Sequence, residues 1–348
     1  MTTHGAADTS GPAETARAAT EAEGDNRDRT GHDRARRGDR PVALASAIRT
    51  AGLTKDYGRL RAVDGLTIEV PVGAVAGFVG PNGAGKSTTI RMLLGLVAPT
   101  AGSGEVLGVP ISRPADYLAR VGAMIEGPAF YPTLSGRRNL QALAALGGFS
   151  RKQVDEVLET VHLADRAGDA YRSYSTGMKQ RLGIAAALLG EPRLLILDEP
   201  VNGLDPAGII EVRELLGALA ARGVTVFVSS HLLSEVQLVA GWLVMIKQGR
   251  LLYDGPTEQA LALQRGVLVV AGDGEDGRGP GVLVGIAERA GYPVTVGEDR
   301  LLRVEAPAEF AGELNRAAML AGVTLTELHY ERPTLEEAFF AITETGAS

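Results

Sequence analysis

The spacing of apolar positions divides the chain into three stretches of different texture. Residues 1–46 hold almost nothing large and apolar before Leu44 and mix Ala, Gly, Thr, Asp, Glu and Arg, a composition expected of a disordered tail. Over residues 47–256 short apolar runs alternate with segments of helical spacing, which predicts an α/β unit. Strands are expected at 48–57, 66–70, 74–79, 105–107, 121–125, 193–197, 224–228, 242–246 and 251–253, with a turn at Asp64 and Gly65. Helices are expected at 88–96, 134–146, 152–162, 182–189 and 207–222, so that residues 127–190 or thereabouts form a mostly helical subdomain. Past Pro256 the pattern changes. Residues 257–348 predict a small α+β unit: helix 257–264, strand 267–271, a glycine-rich loop at 272–281, helix 282–289, strands 294–296 and 301–304, helix 307–320, strand 324–328 and helix 334–343.

At 348 residues, 45% hydrophobic and 22% charged, the chain can bury a real core. The net charge of −7 argues against a nucleic-acid binder that works by broad phosphate neutralisation. There is no cysteine, which removes disulfides, thiolate metal sites and thiol nucleophiles. No apolar run approaches the roughly 18–20 residues of a membrane helix, and the first 40 residues lack the apolar centre of a secretory signal.

One stretch carries the strongest chemistry. Gly80, Pro81, Asn82, Gly83, Ala84, Gly85, Lys86, Ser87 and Thr88 fit the phosphate-cradling pattern, with an apolar strand before it and helical spacing after it. Glycines admit a polyphosphate close to the backbone, and the helix start adds partial positive charge. Lys86 is suited to the β- and γ-phosphates, and the Ser87 hydroxyl to Mg²⁺. Tyr57, 23 residues before Gly80, is either a base-stacking aromatic or an edge-strand tyrosine. Glu126 ends a strand; by itself it is a metal or water contact or, more simply, a solvated loop acid.

Two further stretches converge on the same chemistry. Ser175 is a good N-cap, and Thr176 and Gly177 leave amides open at a helix start: a second anion-binding end, or an ordinary capped helix. Four aliphatics, 194–197, run into Asp198 and Glu199. Alternation splits the directions of these acids, so Asp198 is assigned to the metal and Glu199 to general-base work. His231 ends an apolar strand of the same unit, where ligands of open parallel sheets gather; a capping or core histidine is the plainer alternative.

Taken together these motifs resemble the ATP-binding subunits of ABC transporters over residues 47–256. Residues 80–88 look like the family's Walker A, residues 174–178 (YSTGM) like its signature and residues 194–199 like its Walker B. Asn202 to Asp205 resembles the D-loop, His231 the switch histidine and Tyr57 the adenine-stacking aromatic. The fold implied is a P-loop nucleotide-binding domain with a mixed sheet and helical subdomain. The resemblance implies ATP and Mg²⁺ as ligands, with Ser175, Gly177 and Asp205 contributing to nucleotide binding and Glu126 to catalysis and metal. It also implies a second nucleotide-binding subunit, by homodimer or heterodimer, and a separate permease that holds the chain at the cytoplasmic side of the membrane.

Thr176 and Met178 stand where the signature usually has glycine and glutamine. Glu126 replaces the usual Q-loop glutamine, as in bacitracin and lantibiotic exporter ATPases. Residues 333–340 (PTLEEAFF) resemble the tail of drug-exporter subunits. The rival is a soluble relative in DNA repair or translation. It would need a long coiled-coil or zinc insertion between Lys86 and Ser175, or a second cassette, and the chain has neither.

Overall fold

The computed structural model describes residues 45–345 except positions 128, 275, 276, 298 and 300. The tail expected over residues 1–46 lies outside the described residues but for its last two positions. Strand β1 (Ser46–Tyr57) pairs antiparallel with β2 (Leu60–Leu66) and β3 (Glu69–Pro71). β4 (Val75–Val79) enters a second sheet and leads through the glycine loop into helix α1 (Lys86–Leu93). β5 (Ala101–Val106) returns to β1, and β6 (Val109–Pro110) extends that antiparallel sheet. After β7 (Val121–Met124) come helices α2 (Gly136–Gly147), α3 (Arg151–Thr160) and α4 (Thr176–Leu188). β8 (Leu194–Asp198), α5 (Pro206–Ala221), β9 (Thr225–Ser230) and α6 (Leu233–Gln237) follow, and β10 (Trp242–Lys247) and β11 (Arg250–Pro256) form a hairpin.

The second sheet has the order β11-β10-β4-β9-β8-β7, parallel except for β11. Alternating side chains of its strands feed two different cores. Leu195, Leu197, Val226 and Val228 pack with Leu140, Leu158, Leu182 and Leu216 from the helical side. Leu194, Ile196, Phe78 and Phe227 face Ile48, Ile90, Leu93 and Val106 on the other, with the Phe78 and Phe227 rings 5.1 Å apart. Burial on both faces accounts for the unbroken aliphatic runs. Because β4, β9 and β8 are neighbours, the residues that follow them are brought together at one end of the sheet.

The third sheet, order β13-β14-β12-β15, is built from β12 (Val267–Gly274), α8 (Gly279–Arg289), β13 (Val294–Val296), β14 (Leu302–Glu305), α9 (Phe310–Leu320) and β15 (Val323–Glu331). This is the βαββαβ arrangement of ferredoxin-like units. Both helices cover one face, burying Leu268, Val270, Leu283 and Leu314. On the other face Val269 stands in register with Arg303 and His329. His329 is flanked there by Glu327 (3.2 Å) and Glu331 (3.6 Å).

Three local expectations are corrected. Asp64 and Gly65 do not turn the chain; they lie inside β2, and the reversal falls between Tyr57 and Leu60. Asp64 is instead tied to Arg61 (3.1 Å), to Arg250 (2.8 Å) and, through its N–H, to the Gly249 carbonyl (2.9 Å). The polar loop expected at 272–281 is partly strand, because β12 continues past a bulge to Gly274. The strand expected at 66–70 is divided, Leu66 ending β2 and Glu69 opening β3, and the short α6 adds an element to those expected. Two later elements, α7 (Thr257–Ala262) and α10 (Leu335–Thr345), pack against β10, β11 and α6 rather than against the third sheet.

Candidate nucleotide site

The glycine loop owes its shape to close approach. Gly85 has φ of +105°, and a Cβ there would stand 2.5 Å from the Ala62 carbonyl oxygen. Any other residue would both strain the backbone and push the loop off β2. α1 begins at Lys86 with no side-chain cap, so its first N–H groups remain open toward the loop. The Lys86 side chain, 7% exposed, folds back and donates from Nζ to the Gly80 carbonyl at 2.7 Å.

Lys86 also lies 3.4 Å from Glu199 Oε1, while His231 Nδ1 lies 2.7 Å from Glu199 Oε2. One carboxylate therefore sits between a cation at the start of α1 and an imidazole just past the end of β9. Glu199 reaches this place with a φ of 51°. That left-handed conformation costs a non-glycine residue on the order of 1 kcal/mol and recurs at functional sites. Its N–H is anchored by Ser229, through Oγ at 3.0 Å and the carbonyl at 3.2 Å. The same Ser229 hydroxyl donates to Asp198 Oδ1. Ser229 is fully buried and pairs in register with Asp198. It thus holds both acids, a role missed in the sequence although a hydroxyl closing an apolar strand was a usable signal.

An open cleft of about 400 Å³ is lined by Tyr57, Leu60 and Ala62 on one side, by residues 82–88 along its floor, and by Glu199, Asn202 and His231 on the other. Tyr57 is 45% exposed, with Lys55 Nζ 5.1 Å from its ring centroid. Of the residues expected at the nucleotide, then, Tyr57, Asn82 to Thr88, Glu199 and His231 share one cleft. Gly80 contributes its carbonyl to Lys86, and Pro81 lies beside it.

Asp198 is buried against Ser229 and does not itself line the cleft, and four further expected residues stand elsewhere. Ser175 caps α4 by accepting from the Met178 N–H at 3.2 Å, and neither it nor Gly177 lines the cleft. Thr176 and Gly177 neighbour Gly203 and Leu204 instead. Asp205 spends its carboxylate on the N-cap of α5, accepting from Gly208 N–H at 2.9 Å. Glu126, expected beside the metal, has its carboxylate paired with Arg91 of α1 and is itself 70% exposed. Its φ of 60° is again left-handed. Arg91 was not singled out in the sequence, since nothing in the chain marks a helical arginine as the partner of an acid 35 residues later.

Hard oxygen donors suit Mg²⁺, which keeps several waters and takes one or two carboxylates or hydroxyls plus phosphate oxygens. The buried Asp198, held in place by Ser229, and the cleft-lining Ser87 are such donors. Among the described residues no group of three or more acids or histidines is arranged as an all-protein cage.

Residues 63–202 match the family described as ABC transporter. The chain is 39% identical over 306 residues to the bacitracin transport ATP-binding protein BcrA of Bacillus licheniformis, an alignment covering 87% of this chain and 99% of that protein. It is 36% identical over 307 residues to the daunorubicin resistance ATP-binding protein DrrA3 of Streptomyces coeruleorubidus, covering 86% and 96%. Among solved structures, cbiO1 of Clostridium perfringens, part of the ABC transporter complex cbiONQ, has a TM-score of 0.58 at 26% identity and covers 63% of this chain and 92% of its own. With a full-length relative matched from end to end, the geometry of the cleft has its explanation: the chain belongs to the ABC transporter ATP-binding proteins, and is an ATPase subunit.

Proposed function

We propose that this chain powers export of a drug, a peptide antibiotic or a related compound through a separate membrane permease, and that it works as one of a pair. The observation that carries the reading is the position of Glu199 between Lys86 and His231, in a cleft that Ser175 and Gly177 of the same chain do not enter. A γ-phosphate held by Lys86 and the loop amides would be covered by Ser175 and Gly177 of a second subunit, a homodimer being the simplest arrangement.

Asp198 and Ser87 would hold Mg²⁺, whose charge offsets that building on the phosphate oxygens. Glu199 takes the proton of the attacking water, and His231 orients that carboxylate and the terminal phosphate. Tyr57 stacks on the base. ATP binding closes the pair, and hydrolysis reopens it to drive the permease. The names of BcrA and DrrA3 support export, and the chain has, among its described residues, no helix long and apolar enough to cross a membrane itself. The C-terminal residues 257–348 serve as an accessory, regulatory unit in this reading, and the chain sits peripherally on the cytoplasmic face.

Extraction of the tagged protein from its native membrane in mild detergent tests the proposal. A co-purifying polytopic permease with ATPase activity is expected. Recovery with ribosomes or DNA and no permease would refute it.

A further inference from the structure

Glu336 of α10 accepts a hydrogen bond from the Ser234 backbone N–H at 2.8 Å, across 102 residues of sequence. The Leu335 N–H donates in turn to Gln237 Oε1 at 2.8 Å. Ser234 and Gln237 lie near the two ends of α6, the five-residue helix that starts two residues after His231. Leu335 is fully buried, and with Phe339 and Ile342 it shares a core with Val236, Ala240 and Val79. Val79 is the last residue before Gly80 of the phosphate loop.

A single helical turn has little stability of its own, and its leading N–H groups find no acceptor within the helix. Leu232, at the N-cap of α6, provides no side-chain acceptor. The Ser230 hydroxyl accepts from the Leu232 N–H at 3.0 Å, but the acceptor for the Ser234 N–H inside the turn is a carboxylate from α10, and a charged acceptor at a helix start makes one of the stronger hydrogen bonds available.

We propose that Glu336 is a positioning residue for hydrolysis: through Ser234 and α6 it holds the His231 segment so that the imidazole stays against Glu199. The helix that follows the third sheet then acts as a strut on the catalytic histidine, and movement of that sheet unit reaches the cleft along it. The inference rests on the assignment of His231 made above.

The test uses the full-length chain with Glu336→Ala and Glu336→Gln. For the alanine variant, amide exchange over residues 229–237 should rise severalfold and the kcat of ATP hydrolysis fall about tenfold, with KM for ATP and Tm little changed. The glutamine variant keeps an acceptor oxygen and should restore both values. Unchanged exchange, unchanged kcat, a loss shared by exchange across the whole chain, or a glutamine variant as impaired as alanine would each overturn the proposal. His231→Ala, assayed in parallel, separates the two layers. If it keeps full turnover, the site assignment fails; if it loses turnover while Glu336→Ala does not, only the strut fails.

Discussion

His231 Nδ1 and Glu199 Oε2 lie 2.7 Å apart although 32 residues separate them, because β8 and β9 are adjacent and end at the same level of the sheet. A base so oriented is expected to dominate hydrolysis. Glu199→Gln keeps the size and the hydrogen-bonding oxygen but cannot take a proton. Its turnover should fall by about 10²–10⁴ while MgATP still binds, and closed dimer should accumulate on gel filtration. Near-normal turnover would remove Glu199 as the base.

Glu126 offers a contrast, for its charge is met by Arg91 rather than by the cleft. If its carboxylate acts on the metal, releasing it should matter. Glu126→Gln should bind ATP normally yet change the rate or the preference between Mg²⁺ and Mn²⁺, and Arg91→Ala should move the same preference in the opposite direction. Three enzymes with identical metal profiles would confine Glu126 and Arg91 to a surface ion pair.

Tyr57 presents a half-exposed ring at the cleft edge. Tyr57→Ala should weaken ATP binding by roughly 1–3 kcal/mol, read by titration, with Tyr57→Phe close to wild type. Equal affinity in all three would make Tyr57 an edge-strand residue only.

At Gly85 the backbone itself is at stake. Gly85→Ala should cost about 1–3 kcal/mol in stability and lose more than tenfold in ATP affinity, since the added carbon meets the Ala62 carbonyl. An alanine variant with wild-type Tm and affinity would mean that the loop is free to shift.

Only strong acid should reach the Asp299 carboxylate of the third-sheet unit. Arg303 donates to both Asp299 oxygens (3.0 and 2.9 Å) and the Leu301 N–H adds a third bond, so the carboxyl falls from 3.8 to about 2. A depressed folded-state value stabilises above pH 3.8, and that contribution is lost as pH falls toward 2. The stability difference between wild type and Asp299→Asn should therefore shrink over that window. A difference constant with pH would show that the carboxylate is not linked to folding.

Much of this was legible in the chain, for reasons that can be named. Leu194 to Leu197 are buried on both sides of the sheet, so the strand and its terminal acids announced themselves as one unbroken apolar run. The loop at residues 80–88 was legible because only glycine tolerates its close approaches. What escaped were pairings between distant segments. Nothing local links Ser229 to Asp198, Arg91 to Glu126 or Glu336 to Ser234, since each depends on which elements the topology makes neighbours. The Asp64-Gly65 signal misled because its carboxylate is used by Arg61 and by Arg250, the latter 186 residues away, and not by a turn.

β15 closes one edge of the third sheet with a nine-residue strand. A long unpaired edge can template the addition of a strand from another copy and so start aggregation. Here Glu327 and Glu331 place two carboxylates on its second half, on either side of His329. Two such edges paired antiparallel about position 329 would oppose Glu327 to Glu331. The unit therefore carries its own guard against sticking to itself, one written in charge and weakened as salt rises.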